Sequence, residues 1–328
     1  MRHVLAALLA LLAGTGAGAV THEDIVLNLP GGARLEGTLT TPAGPPVAAA
    51  VLVPGSGPTD RDGNNPLGVA GSPYRMLAEA LAGEGMAVLR YDKRGLFGSA
   101  GQGIDPNDVT VRRYAGDALG WADGLSARFG LPCVHLIGHS EGGLVALAAV
   151  ELARRSTAPE RAPCGVALVA APGRPLGAII REQVANAEAG GVARSEDADR
   201  VLRSLEGGAR VPGADVPAAL RPLFSEAVQG FLIDVLRYDP ADLVARIGRP
   251  VLVVHGAEDV QVGAADADRL ATAGGTLVTV PAMSHVLKRV EGTGRAASLS
   301  TYADPDAPLA PGLVDALASF LRETASSR

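Results

Sequence analysis

The chain has 328 residues, 47% of them hydrophobic and 20% charged, with a formal net charge of −6 at pH 7. That length and apolar content suit one α/β domain carrying an insertion and exclude a disordered chain. The acidic balance, with no basic run or aromatic platform, argues against a nucleic-acid partner.

Met1-Arg2-His3 is a basic opening, Val4 to Ala13 is apolar, and Ala17-Gly18-Ala19 has the small residues of a cleavage site. Residues 1–19 therefore read as a secretory signal peptide cut after Ala19, too short in its apolar core to span a bilayer. The expected location is periplasmic or secreted. No cysteine follows the small residues, so no lipid anchor is indicated.

Glu23 to Leu29 and Ala33 to Thr40 alternate around Pro30-Gly31-Gly32, the pattern of an antiparallel hairpin. The rhythm then changes to short apolar runs at Val47–Val53, Met86–Tyr91, Cys133–Ile137, Gly165–Ala170, Pro250–Val254 and Thr276–Val280. Helical patterns at Tyr74–Leu81, Val111–Phe129 and Ala264–Ala271 separate most of them. Strands alternating with helices predict a mostly parallel sheet covered on both faces, with ligands at the carboxyl ends of its strands.

One stretch breaks the alternation. Residues 173–239 hold no strand pattern, only helical ones at Leu176–Ala189, Asp197–Leu205 and Val216–Tyr238. Such a length exceeds one crossover, so the stretch is expected to be a helical cap between two core segments, 20–172 and 240–328. Phe224, Phe231 and Leu232 are its expected substrate-lining residues.

The run Val134-His135-Leu136-Ile137 leads into Gly138-His139-Ser140-Glu141-Gly142, and a helical pattern from Leu144 to Val150 follows. A serine on so sharp a strand-to-helix turn needs glycine on either side and stands beside free helix N–H groups. That suits a nucleophile whose reaction develops an oxyanion. With 42 glycines in the chain, the pattern needs support from elsewhere.

A serine nucleophile needs a general base, and the base an orienting carboxylate. Of the six histidines, His3 lies in the leader and His22 just after it. His135 lies in a strand, His139 points away from the serine, and His255 directly follows its strand. His285 lies in a loop after the last strand, where it can reach back over the sheet edge. Val251 to Val254 runs into His255-Gly256-Ala257-Glu258-Asp259, making Asp259 the expected acid and Glu258 the fallback. The order Ser, Asp, His is that of a nucleophile-elbow hydrolase.

With these residues in view the chain resembles the α/β-hydrolase superfamily, and within it secreted or periplasmic bacterial carboxylesterases near the serine-aminopeptidase and dienelactone-hydrolase branches. Pro54-Gly55-Ser56-Gly57-Pro58, Asp60-Arg61-Asp62-Gly63-Asn64, Tyr91-Asp92-Lys93-Arg94-Gly95, Ile137 to Gly143, Arg237-Tyr238-Asp239-Pro240 and His255 to Asp259 carry the likeness. It implies oxyanion donors at the N–H groups of Ser56 and Glu141, and hydrolysis of carboxylic esters with short to medium acyl chains. Peptidase action, with Glu182, Glu188 or Glu226 holding an amino terminus, and thioester or lactone hydrolysis are the alternatives. A non-catalytic binding module would have no use for the full triad. The Glu141 side chain has two readings, pairing with Lys93, Arg94 or Arg61, or facing solvent at the helix start. No metal-ligand cluster or phosphate loop is present in the sequence pattern, so no cofactor is expected. In this fold Cys133 and Cys164 stand at the starts of neighbouring parallel strands, close enough to form a disulfide.

Overall fold

The computed structural model describes residues 19–29, 32, 34–101, 105–156, 162–188 and 194–325. The expected leader lies almost wholly outside the described residues. Strands β1 (Thr21–Asn28) and β2 (Arg34–Thr41) pair antiparallel, with Thr21 opposite Thr41. Six more follow: β3 (Ala48–Val53), β4 (Met86–Tyr91), β5 (His135–His139), β6 (Val166–Val169), β7 (Val251–Gly256) and β8 (Thr276–Val280). Together they form one eight-stranded sheet of order β1-β2-β4-β3-β5-β6-β7-β8, parallel from β4 onward.

The wholly apolar strands are apolar because both faces are covered. On β3, Ala48, Ala50 and Leu52 join one buried cluster while Ala49, Val51 and Val53 join the other. Helices α1 (Pro73–Gly83) and α11 (Leu313–Ala325) cover the first face with Leu77, Leu81, Leu317 and Leu321. The second face is covered by α2 (Val111–Phe129), α3 (Glu141–Arg154), α8 (Pro240–Ile247) and α9 (Ala264–Thr272). Alanine is frequent in both clusters, so the layers approach closely without many aromatic rings.

Between β6 and α8 lie α4 (Leu176–Glu188), α5 (Ser195–Glu206), α6 (Arg221–Phe224) and α7 (Glu226–Val235). The last expected helix, 216–238, is not continuous. A 3₁₀ turn at Ala218–Leu220 precedes the single turn of α6, and Ser225, with ψ of 150°, breaks the chain before α7. The insertion is tied to the core by charge. Arg174 donates to both carboxylate oxygens of the buried Asp266, and Asp234 accepts the N–H of Val111, the first residue of α2. Arg269 of α9 pairs with Asp239.

Cys133 and Cys164 are joined by a disulfide, their Cα atoms 5.3 Å apart. The bond sits just before β5 and β6, whereas Ser140 follows the far end of β5.

Candidate active site

Ser140 occupies the turn between β5 and α3 with φ of 52° and ψ of −124°. This is a strained conformation for a residue with a side chain, and such strain gathers at functional positions. The turn closes only with glycine on both sides. A Cβ at Gly138 would stand 2.4 Å from the Gly142 carbonyl oxygen, and one at Gly142 would stand 2.2 Å from that of Val53. The Ser140 N–H bonds the Val169 carbonyl at 3.0 Å, fixing the elbow to β6.

The loop after β7 brings in Asp259 and the loop after β8 brings in His285. His285 Nδ1 donates to Asp259 Oδ2 at 2.8 Å. The other carboxylate oxygen, Oδ1, accepts the N–H groups of Gln261 at 2.8 Å and Val262 at 3.0 Å. Burial opposes the charge on Asp259, but His285 and these two N–H groups outweigh it and hold the carboxyl below its ordinary range. With its Nδ1 proton committed to Asp259, His285 has Nε2 left to act as a base. Glu258 is engaged elsewhere, accepting the Gly294 N–H at the start of α10 (Gly294–Ser300).

Ser140 and His285 line a common small cavity of about 100 Å³ together with Ser56, Thr59, Asn65 and Gln261. Ser140 also borders a second cavity of about 630 Å³ under the helical insertion. Its apolar lining includes Leu144, Leu176, Ile179, Leu223, Phe231 and Leu232. Phe224 is not among the lining residues. It is wholly buried, and its carbonyl accepts the Gln229 side-chain amide. The break at Ser225 is the reason: one turn of helix points Leu223 to the cavity and Phe224 into the core.

The side chain of Glu141 faces the larger cavity, 14% exposed, and its cation is Lys93 at 3.9 Å. Arg61 instead pairs with Asp92 and Glu36, and Arg94 with Asp117. Burial raises the Glu141 pKa, and Lys93 counters it. The buried Lys93 ammonium also donates to the Gly55 carbonyl at 2.7 Å and lies 5.6 Å from the centre of the Tyr114 ring. Gly55 and Ser56 share the peptide whose N–H is the expected oxyanion donor.

Sequence reasoning missed Tyr74. Its hydroxyl accepts the Gly55 N–H at 3.0 Å and donates to His139 Nδ1 at 2.7 Å. A tyrosine 65 residues from its partner carries no local spacing signal. Among the described residues, no group of three or more His, Cys, Asp or Glu side chains could hold a metal ion, and no helix is long and apolar enough to cross a membrane.

The sequence and the fold are similar to those of known proteins. The model of the alpha/beta hydrolase family matches residues 50–287, and the chain belongs to that family. Esterase EstD of Thermotoga maritima is 32% identical over 246 residues, covering 74% of this chain and 52% of EstD. The chain thus spans about half the length of that curated relative. Among solved structures, the esterase domain of a Rhodothermus marinus protein is similar, with a TM-score of 0.54 at 20% identity, covering 92% of this chain and 98% of that one. A thermophilic esterase from Thermogutta terrifontis gives a TM-score of 0.54 at 19% identity, covering 93% of this chain and all of its own.

Proposed function

We propose that this chain is a carboxylic ester hydrolase that works through an acyl-enzyme on Ser140. The observation that carries the reading is the Asp259–His285 pair, which leaves Nε2 of His285 as the base beside a serine held on a strained elbow. His285 takes the Ser140 proton as Oγ attacks the ester carbonyl. The N–H groups of Ser56 and Glu141 receive the oxyanion. His285 then protonates the departing alcohol and afterwards activates the water that releases the acid. The relative named as an esterase supports ester hydrolysis.

Residues 173–239 act as the cap, and the cavity beneath them takes short to medium acyl chains against Phe231 and Leu232. An ester is favoured over a peptide by the fate of Glu182 and Glu226, the side chain of Glu188 lying outside the described residues. Glu182 pairs with Arg174 and Glu226 accepts the Gly213 N–H, and neither lines the large cavity. Glu141, which does line it, is matched to Lys93. The leader pattern and the cystine support an oxidising destination, periplasmic or secreted.

A fluorophosphonate should label Ser140, and Ser140→Ala should lose labelling and roughly 10⁴-fold or more of turnover while remaining folded. Esters of rising acyl length should be hydrolysed in preference to aminoacyl anilides. Labelling retained in the alanine variant, or anilides preferred, would overturn the reading.

A further inference from the structure

Ser140 lies on the wall between two cavities of very different size and polarity, and only the smaller is lined by His285. We propose that the smaller cavity is the leaving-group subsite, and that the substrates are esters joining a bulky apolar acid to a small alcohol. The proposal rests on the ester-hydrolase reading above.

Proton transfer sets the direction of binding. The attacking Ser140 Oγ forms a bond to the carbonyl carbon and its proton passes to His285 Nε2. The bond from that carbon to the alkoxy oxygen then breaks, and the same proton leaves with the alcohol. The alkoxy oxygen must therefore stand at His285, on the side of the small cavity. The oxyanion points to the Ser56 and Glu141 N–H groups. The acyl chain is left to run beneath the cap, where leucine, isoleucine and phenylalanine side chains line about 630 Å³.

Size and stiffness then set the class of alcohol. At about 100 Å³ against about 630 Å³, the leaving-group side is much the tighter of the two and suits a small alcohol. The wall cannot easily yield. Thr59 Oγ1 donates to the Ser56 carbonyl at 2.9 Å and receives Asn65 Nδ2 at 3.0 Å. Asp60 Oδ1 accepts the N–H groups of Asp62 and Asn64, and Asn64 Oδ1 accepts that of Ser72. Arg61 ties the same loop to the buried Asp92. On the other side, Gln261 is anchored to the Tyr302 hydroxyl at 2.7 Å. Admitting a branched or cyclic alcohol would break several of these bonds together.

The test is kcat/KM for methyl, propyl and cyclohexyl hexanoate, followed by acid release. This quantity reports acylation, whereas deacylation of the shared hexanoyl-enzyme is the same for all three. Methyl and propyl esters should exceed the cyclohexyl ester by at least ~10-fold. Val69→Ala, which trims a half-buried side chain from the small cavity, should narrow that gap without altering the preference for acyl length. Equal kcat/KM across the three alcohols would overturn the subsite, as would an unchanged gap in Val69→Ala. Failure to cleave any ester, with no fluorophosphonate labelling of Ser140, would instead overturn the hydrolase reading on which it stands.

Discussion

His139 Nε2 donates a hydrogen bond to the backbone carbonyl of His285 at 2.8 Å, so the residue before Ser140 holds the loop that carries His285. A carbonyl only accepts, which places the proton on Nε2 and makes Nδ1 the acceptor for the Tyr74 hydroxyl. Tyr74 in turn accepts the Gly55 N–H. Burial, with the neighbouring His285 adding to it, pushes the His139 pKa down to about 3, so the ring stays neutral and its tautomer is set. One chain of bonds thereby fixes both the Gly55–Ser56 loop and the His285 loop. Tyr74→Phe leaves the Gly55 N–H and His139 Nδ1 unpaired and should cost about 2 kcal/mol or more. Turnover should fall ~10-fold or more through misplacement of the site. Urea unfolding and kcat/KM on the same preparation check this, and unchanged values in both would dismiss the positioning role.

The acid is decided by two substitutions. Asp259→Asn should lower kcat by ~10⁴-fold, because an amide no longer sets the His285 tautomer. Glu258→Gln should leave kcat within a few-fold of the original, since that carboxylate caps α10 instead. Steady-state rates on one ester rank the pair, and the reverse order would move the acid to Glu258.

Lys93 should matter to the reaction although it touches neither Ser140 nor His285. Its ammonium donates to the carbonyl of the Gly55–Ser56 peptide, which strengthens that peptide's N–H, the proposed donor to the oxyanion. Lys93→Met should lower kcat by ~10- to 100-fold with little change in KM. Affinity for a phosphonate transition-state analogue should fall in parallel. The single substitution also strands the Glu141 carboxylate, which is costly. Lys93→Met combined with Glu141→Gln should therefore recover folding stability but not kcat; recovery of both would reduce Lys93 to a packing residue.

Stability should fall as the medium is acidified below about pH 6.5. Burial lowers the His139 pKa to about 3 and that of His135 to about 4, each from 6.5. Between those values and 6.5 the unfolded chain binds protons that the folded chain refuses, so stability rises with pH there. Each such histidine contributes a slope of roughly 1.4 kcal/mol per pH unit. Burial raises Glu141 and Asp117; the folded state then holds their protons more tightly, giving a slope of the opposite sign above their unfolded values. Comparing urea midpoints at pH 7 and pH 5 for the parent and His135→Asn isolates the histidine share, and equal slopes in the two proteins would refute it.

What could be read from the sequence was what local spacing dictates. The elbow needs glycine at 138 and 142 because a Cβ there would collide with backbone, and the strand runs are apolar because both sheet faces are covered. Helix 111–129 was legible end to end, with Thr110 as its N-cap and Gly130 as its left-handed stop. The helical insertion showed itself as a break in alternation. Its interior did not: the apolar spacing from Leu220 to Val235 suggests one helix, while Pro222 and the turn at Ser225 divide it and send Phe224 inward. The Tyr74–His139 link and the choice of Lys93 over Arg61 and Arg94 depend on tertiary placement. Arg61 and Arg94 already have buried carboxylates as partners, which no spacing rule reveals.

Replacing both Cys133 and Cys164 by alanine removes a cross-link between positions 31 residues apart. Stability should drop by about 2–4 kcal/mol, measured by urea unfolding, while kcat/KM stays unchanged. A matching fall in kcat/KM would show the bond shaping the site itself.

That cross-link stands at one end of β5 and Ser140 at the other. Thiol chemistry at the first can therefore proceed without disturbing the acyl transfer proposed at the second. Molecules exposed to a reductant would keep their turnover number but open more often, and opened chains are what proteases cut. The redox state of the surroundings would thus set how long each molecule survives, and through that the total amount of product it makes.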